Sequence, residues 1–456
     1  MSRLRSKGSA DIAFTSSRWR QNGSSTGIFL DHAAYKFGRC PKHDTVPFRE
    51  LVMNSGTSDF LNVSRWIAAF FVVLGHVYHI SIADYRHVAQ PDLLLRGVNF
   101  FGEFGYTAVI VFFVISGFLV GGQTIVNFKR KGFNVTDYFV HRFSQIYTVL
   151  IPALIVGLTL DWLGIVFFNS SGIYNHPESF YTNTFGNDIA KHLGFITFVG
   201  NVLQLQTIVV SSLGSNGPLW SLANEWWYYV LFGFCMIAYR SRRLFTRIMV
   251  GGLILAVLAA LPPTMSLWFV VWGIGAGVAV LDRYWTGWPF LVGAAILGVC
   301  LIAVRWMSAR FPDIGTGTRF AMDLAVAFGF SIALVCAKNL GERRKCGSLH
   351  RVLASFSYTL YLVHFPAMVF TAVFVRQVFD IDFLRPPAIV PVIYAVGLLV
   401  ILYGYAWIFA VFTEAHTNAI RSRLSHAVPA FLYWVKPGKR RFEAAGISGR
   451  RSTSAK

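Results

Sequence analysis

Histidine is the side chain whose charge changes nearest neutral pH. This sequence carries two, His76 and His79, inside the apolar run RWIAAFFVVLGHVYHI at 65–80, which Arg65 opens. An Asp, Lys or Arg at the centre of a membrane span costs about 2.5–3.5 kcal/mol on insertion scales, so ionisable residues at depth are candidates for chemistry by default. Arg65 and His76 are eleven positions apart, about 16 Å along a helix axis. His79, three positions on, falls on roughly the same helical face. A neutral imidazole there can hydrogen-bond between helices, pair with a second histidine around a metal, or act as a general base. The run by itself leaves these readings open.

Three further stretches carry reactive or polar groups in apolar surroundings. In GPLWSLANEWWYYVLFG at 217–233, Ser221 suits a helix cap, with Asn224 and Glu225 in the first turn. An acidic residue there complements the helix macrodipole. Alternatively, Glu225 enters the membrane opposite His76, and the two would make a carboxylate–imidazole acid/base unit. Trp220, Trp226 and Trp227 suit either an interfacial aromatic belt or a wall on which sugars stack. In FGYTAVIVFFVISGFLVGG at 104–122, Ser116-Gly117 and Gly121-Gly122 are small residues of the kind that let helices approach closely, while Ser116 also falls where it would line a mid-depth cavity. In SFSYTLYLVHFPAMVF at 355–370, Tyr358, Tyr361 and His364 share one helical stripe, read either as a cavity lining or as aromatic packing.

Positioning such groups requires helices that cross a bilayer. The chain is 55% hydrophobic and only 14% charged, against about 25% charged in a soluble domain. Its mean hydropathy is +0.52. Apolar blocks fall near 62–82, 104–124, 144–168, 193–211, 222–239, 248–262, 265–281, 289–307, 320–337, 354–375 and 388–412, and most approach the roughly 20 residues that span a bilayer as helix. The fold class is therefore all-α polytopic membrane protein. Alternating strands of a β-barrel are not evident.

The net charge of +20 is read as topological, since Lys and Arg gather in cytoplasmic loops. It is scattered among spans and tails, so nucleic acid is not expected as a partner. Clusters at Lys129–Lys131 with Arg142, at Arg240–Arg247, and at Lys338–Arg351 all fall inside if 143–239 crosses an even number of times. The block at 193–211, with Asn201, Gln204 and Gln206 inside it, is the one expected to be re-entrant or interfacial. That leaves about ten spans, with both termini cytoplasmic. The pair Pro262-Pro263 fits a tight outer hairpin. Residues 1–58 and 416–456 are expected to be basic cytoplasmic tails flanking a membrane domain at 59–415; Met53 is an alternative native start. No soluble domain is expected in the internal loops. The five cysteines, Cys40, Cys235, Cys300, Cys336 and Cys346, contain no C-x-x-C and suggest neither disulfides nor a metal site.

Taken together and in this order, the four stretches resemble the membrane acyltransferase 3 family, O-acyltransferases of bacterial surface polysaccharides, Nod factors and macrolides. The resemblance covers about 60–415. It rests on Arg65 and His76 (an Arg-x10-His pattern), on Phe112 to Leu119 (FFVISGFL), on Pro218 to Glu225 (PLWSL-x-x-E), and on Ser357, Tyr358, Tyr361, Leu362 and His364 (SY-x-x-YL-x-H). The sequence departs from the family after the second helix. Arg142 is kept, but Gln145 stands where a second arginine falls and Thr148 near the usual proline.

The resemblance implies an acyl-CoA co-substrate, acetyl-CoA foremost, with no bound cofactor and no metal. It implies a glycan or lipid-linked sugar acceptor and a place in the bacterial inner membrane. His76 would be the general base and Glu225 its orienting acid. Arg65 and Arg142 would meet the phosphates of coenzyme A, and Ser116, Trp220, Ser221, Tyr358, Tyr361 and His364 would line the substrate path. A transporter or flippase for the same glycans, and a haem or quinone protein using His76, His79 and His364, are the rival readings. The oligomeric state is not legible.

Overall fold

The computed structural model describes residues 54–82, 93–170, 172–175, 189–282, 284–285, 287–311, 314–340, 347–381 and 389–435. The expected N-terminal tail before Asn54, with Cys40 and Met53, lies outside the described residues, as do Cys346 and residues 436–456. The described chain is helical: α1 Ser55–Ser81, α2 Leu93–Gly102, α3 Gly105–Ser116, α4 Gln123–Lys131, α5 Val135–Phe167, α6 Phe195–Val202, α7 Leu219–Arg240 and α8 Leu244–Ala260. It continues with α9 Pro263–Leu281, α10 Phe290–Arg310, α11 Thr316–Cys336, α12 Ser348–Ser355, α13 Ser357–Phe379, α14 Ile389–Phe412 and α15 Thr417–Val435. Between α3 and α4 the Gly117–Gly122 turn is a π-helix.

Eight helical stretches among the described residues are long and apolar enough to cross a membrane. Each block read as a span lies on a helix. The polar residues of α7 lower its hydropathy, and α8 has only 17 residues. The outward surface is apolar: α8 buries none of its residues and α10 only Gly293, while Leu244, Phe245, Leu255, Leu291, Val299 and Trp306 are exposed. Such a belt is unfavourable in water and natural against lipid, where helices satisfy their own backbone groups.

The block at 193–211 does not cross. Its helix, α6, has 8 residues, and Gln204 and Thr207 then take left-handed φ values of 59° and 66°. The polar residues that weakened the block close this fold-back. Asn201 Nδ2 donates to the carbonyls of Thr197 (2.8 Å) and Ser211 (2.9 Å), and its Oδ1 accepts from the Leu213 amide at 3.1 Å.

Other expectations need correction. The first helix begins at Ser55, with the Asn54 side chain accepting from the Gly56 amide at 2.9 Å, so 55–58 belong to it and not to a tail. Between the first two apolar blocks, Leu93–Gly102 forms the additional helix α2. At the other end, 417–435 forms α15, packed on α5. Ser221 does not cap α7, which starts at Leu219 after Pro218.

The glycines of the second block serve packing. A Cβ on Gly117 would meet the Trp272 carbonyl oxygen at 1.9 Å, and one on Gly275 would meet that of Val114 at 2.1 Å. The π-turn and α9 therefore touch backbone to backbone, as small residues permit within membranes. At the centre, α1 packs against α3, α13 and α14, which brings the first and the SYTLYLVH stretches side by side. Pro262 lies in the short turn between α8 and α9, and Pro263 opens α9.

Candidate active site

Two cavities lie along α1 and meet at a shared wall of Val109 and Tyr361. The larger, about 410 Å³, is lined by Arg65, Ser116, Ser221, Glu225, Tyr358 and Tyr361 among others. The smaller, about 220 Å³, is lined by His76, His79, Glu103, Tyr106, Trp220 and Tyr361. Thus eight of the ten residues singled out from sequence face one cavity or the other. Arg142 and His364 stand one layer behind.

At the second cavity, His76 and His364 form a directed pair. His364 is fully buried, and its Nδ1 lies 3.0 Å and 2.8 Å from the carbonyl oxygens of Leu360 and Tyr361. Carbonyls only accept, so Nδ1 carries the proton and Nε2 is the lone-pair nitrogen. That Nε2 is 2.9 Å from His76 Nδ1, which must then be the donor. The rings are nearly coplanar, 14° between planes with centroids 5.1 Å apart, as an edge-to-edge hydrogen bond gives. The remaining nitrogen of His76, Nε2, is left with its lone pair on a ring that lines the cavity. The tautomer of His76 is thus set by a buried neighbour.

The expected His76–Glu225 pair is absent. Glu225 faces the other cavity and accepts a short hydrogen bond from the Tyr229 hydroxyl. Behind it runs a one-way chain: Trp272 Nε1–H donates to Ser116 Oγ at 3.1 Å, and the Ser116 and Tyr229 hydroxyls are 3.0 Å apart. A tyrosine that gives its proton to Glu225 accepts from Ser116, so every hydroxyl in the chain is used once. The pairing failed because sequence depth places residues along the membrane normal but not around it.

Tyr361 closes the wall between the cavities. Its hydroxyl donates to the Pro218 carbonyl at 3.0 Å and lies 2.5 Å from Ser221 Oγ. Trp220 adds an aromatic face beside Trp268, centroids 5.3 Å apart. The His79 imidazole lies 3.6 Å from the Glu103 carboxylate.

Arg142 lies over the Tyr229 ring at 5.6 Å and donates to Gln145 Oε1 at 3.0 Å. It is Gln145, the departure from the family pattern, that reaches the larger cavity. Sequence reasoning also missed Glu414, Thr417 and Arg421, which line the same cavity. Glu414 accepts from the Thr359 amide (3.3 Å) and hydroxyl (2.6 Å). The available signal was Thr413-Glu414, but the basic stretch beyond it read as a tail because its apolar content is low.

Two cavities thus lie inside a helical bundle with an apolar outer surface, one lined by Arg65 and Arg421 and the other by His76 and His79. The chain belongs to the acyltransferase 3 family, whose model, described as an acyltransferase domain, matches residues 58–411. An O-acetyl transferase of Shigella phage Sf6 is 23% identical over 321 residues, 68% of this chain and 84% of that one. An uncharacterised protein of Haemophilus influenzae is 32% identical over 139 residues, 29% of this chain and 50% of that one. A cytochrome b subunit of the bc1 complex of Streptomyces coelicolor is 30% identical over 166 residues, 35% of this chain and 27% of that one. No solved structure matches the chain. The protein is a multi-pass membrane acyltransferase. His76 and His364 meet directly at 2.9 Å, whereas two imidazoles on opposite sides of an iron would stand about two metal–nitrogen bonds, about 4 Å, apart.

Proposed function

We propose that the protein is an O-acyltransferase moving an acyl group, acetyl foremost, from acyl-CoA to a hydroxyl of a cell-envelope or exported glycan, with His76 as general base. The observation that carries this reading is the His364–His76 pair, which leaves a lone-pair nitrogen on a cavity wall.

The donor would occupy the larger cavity. Coenzyme A is polyanionic, and Arg65 and Arg421 at its rim suit phosphate recognition. Arg142 acts there through Gln145. Glu225 has the placement to accept an amide N–H of the pantetheine arm. The thioester then lies against the Tyr361 wall, and the acceptor hydroxyl comes from the His76 side. His76 Nε2 takes the hydroxyl proton as the oxygen attacks the thioester carbonyl. The Tyr361 or Ser221 hydroxyl, turned from its resting partner, donates to the developing oxyanion. The carbon–sulfur bond breaks, and the imidazolium returns the proton to the departing thiolate. By charge bias the Arg65 end is cytoplasmic. On this reading acyl-CoA comes from inside, and the membrane proposed is the bacterial inner membrane.

The test is mass spectrometry of envelope glycans and secreted metabolites from cells with the gene, without it, and with His76→Ala. The expected result is loss of one acyl increment from a glycan in both altered strains. If no acyl group changes anywhere while a glycan accumulates on one side of the membrane, the protein transports and does not acylate.

A further inference from the structure

A third cavity, about 230 Å³, adjoins the His76 cavity and shares Glu103 and Tyr106 with it. None of the sequence motifs maps to its far wall, which is built from α10 and α11. We propose that this cavity is an acceptor subsite for a sugar bearing an anionic group, a carboxylate or a phosphate, held by Arg305 and Arg319. The inference rests on the acyltransferase reading for the word acceptor, but not for the binding itself.

Asp323 and Arg305, both on this cavity, are held by neutral hydrogen-bond partners. Asp323 Oδ2 accepts from Tyr106 (2.8 Å) and from Trp268 Nε1 (2.9 Å), both neutral donors. Glu103 faces His79. Arg305 spends Nη2 on Asn99 Oδ1 (2.9 Å) and Nε on the Phe100 carbonyl (3.4 Å), both neutral acceptors. Arg319 lies over the Tyr106 ring at 5.6 Å. Among the described residues, no carboxylate lies within ion-pair distance of either arginine. Arg305 bonds only neutral acceptors, and Arg319 acts on the Asp323 carboxylate from beyond ion-pair distance, so two guanidiniums on one small cavity make a fork for an oxyanion, which they meet bidentately. The rest of the lining suits a sugar ring. Asp323 keeps one oxygen for a hydroxyl, and Tyr106, Val304 and Met322 give apolar surface. A ligand anchored here extends a hydroxyl through the shared Glu103–Tyr106 wall toward His76.

The experiment uses the full chain in phosphatidylcholine nanodiscs and measures equilibrium binding of three probes. These are p-nitrophenyl glucuronide, glucose 1-phosphate and the neutral p-nitrophenyl glucoside. The expected result is saturable, salt-sensitive binding of at least one anionic probe, about tenfold or more tighter than the neutral one. Which anionic probe wins separates a carboxylate sugar from a phosphate-linked one. Arg305→Gln with Arg319→Gln should abolish the preference, Arg305→Lys with Arg319→Lys should keep part of it, and His76→Ala should leave it unchanged. Retained acetyl-CoA binding by the variants shows that they fold. Equal binding of the neutral probe, no binding of any probe, or an unchanged preference in the glutamine variant overturns the subsite. So does competition by phosphatidylglycerol with no sugar binding, which makes the cavity a lipid headgroup site. If anionic probes bind but cells lacking the gene keep every acyl group, the acyltransferase reading fails and the binding site stands.

Discussion

His76 can act as a base only while its Nδ1 keeps the proton, and that depends on His364. A phenylalanine at 364 removes the acceptor, so His364→Phe is expected to lower kcat about a hundredfold or more, toward the loss of about 10²–10⁴ expected for His76→Ala. Glutamine offers a carbonyl oxygen for the same proton, and His364→Gln should recover part of the rate. A rate for His364→Gln no higher than for His364→Phe would reduce His364 to a packing residue. Glu225, being on the donor side and apart from His76, is expected to act on binding. Glu225→Gln should raise KM for acyl-CoA more than it lowers kcat, and steady-state kinetics with varied acyl-CoA distinguishes the two.

At the scale of elements, close helix contact and the C-terminal helix decide the shape of the donor cavity. Gly117→Ala puts a Cβ against the Trp272 carbonyl, whereas the same change at Gly251 on α8 meets nothing within 4 Å. Thermal unfolding in detergent should therefore show a clear loss for Gly117→Ala. Gly251→Ala should be neutral or slightly stabilising, since alanine is favoured over glycine in a helix by about 1 kcal/mol. Equal melting temperatures would mean that the π-turn and α9 separate readily. On α15, Arg421 lines the donor cavity and bonds Asn418 (3.3 Å) and Ser144 (3.4 Å). Arg421→Ala is expected to raise KM for acyl-CoA severalfold with kcat nearly kept, as removal of one phosphate contact does.

At the scale of the molecule, the proposed function has donor and acceptor approach from the two cavities that share the Tyr361 wall. Single cysteines at Arg242, in the turn between α7 and α8, and at Pro262, between α8 and α9, should react with impermeant thiol reagents from opposite faces of the membrane. The Arg242 position should be cytoplasmic. Labelling of both from one side would overturn the sidedness assigned from charge.

Hydropathy and charge spacing in the sequence were sufficient for the helical membrane class and for the one block that fails to cross. Motif spacing and the family resemblance together put eight of the ten residues singled out on the two cavity walls. These features follow from local periodicity and from the cost of polar groups in lipid, which act on each segment by itself. The azimuth of each helix about its axis is set by packing against its neighbours, and no single segment encodes it. For that reason only the tertiary structure gave His76 to His364 and Glu225 to Tyr229, brought Arg421 from an apparent tail onto the larger cavity, and set Arg305 and Arg319 on one cavity next to that of His76.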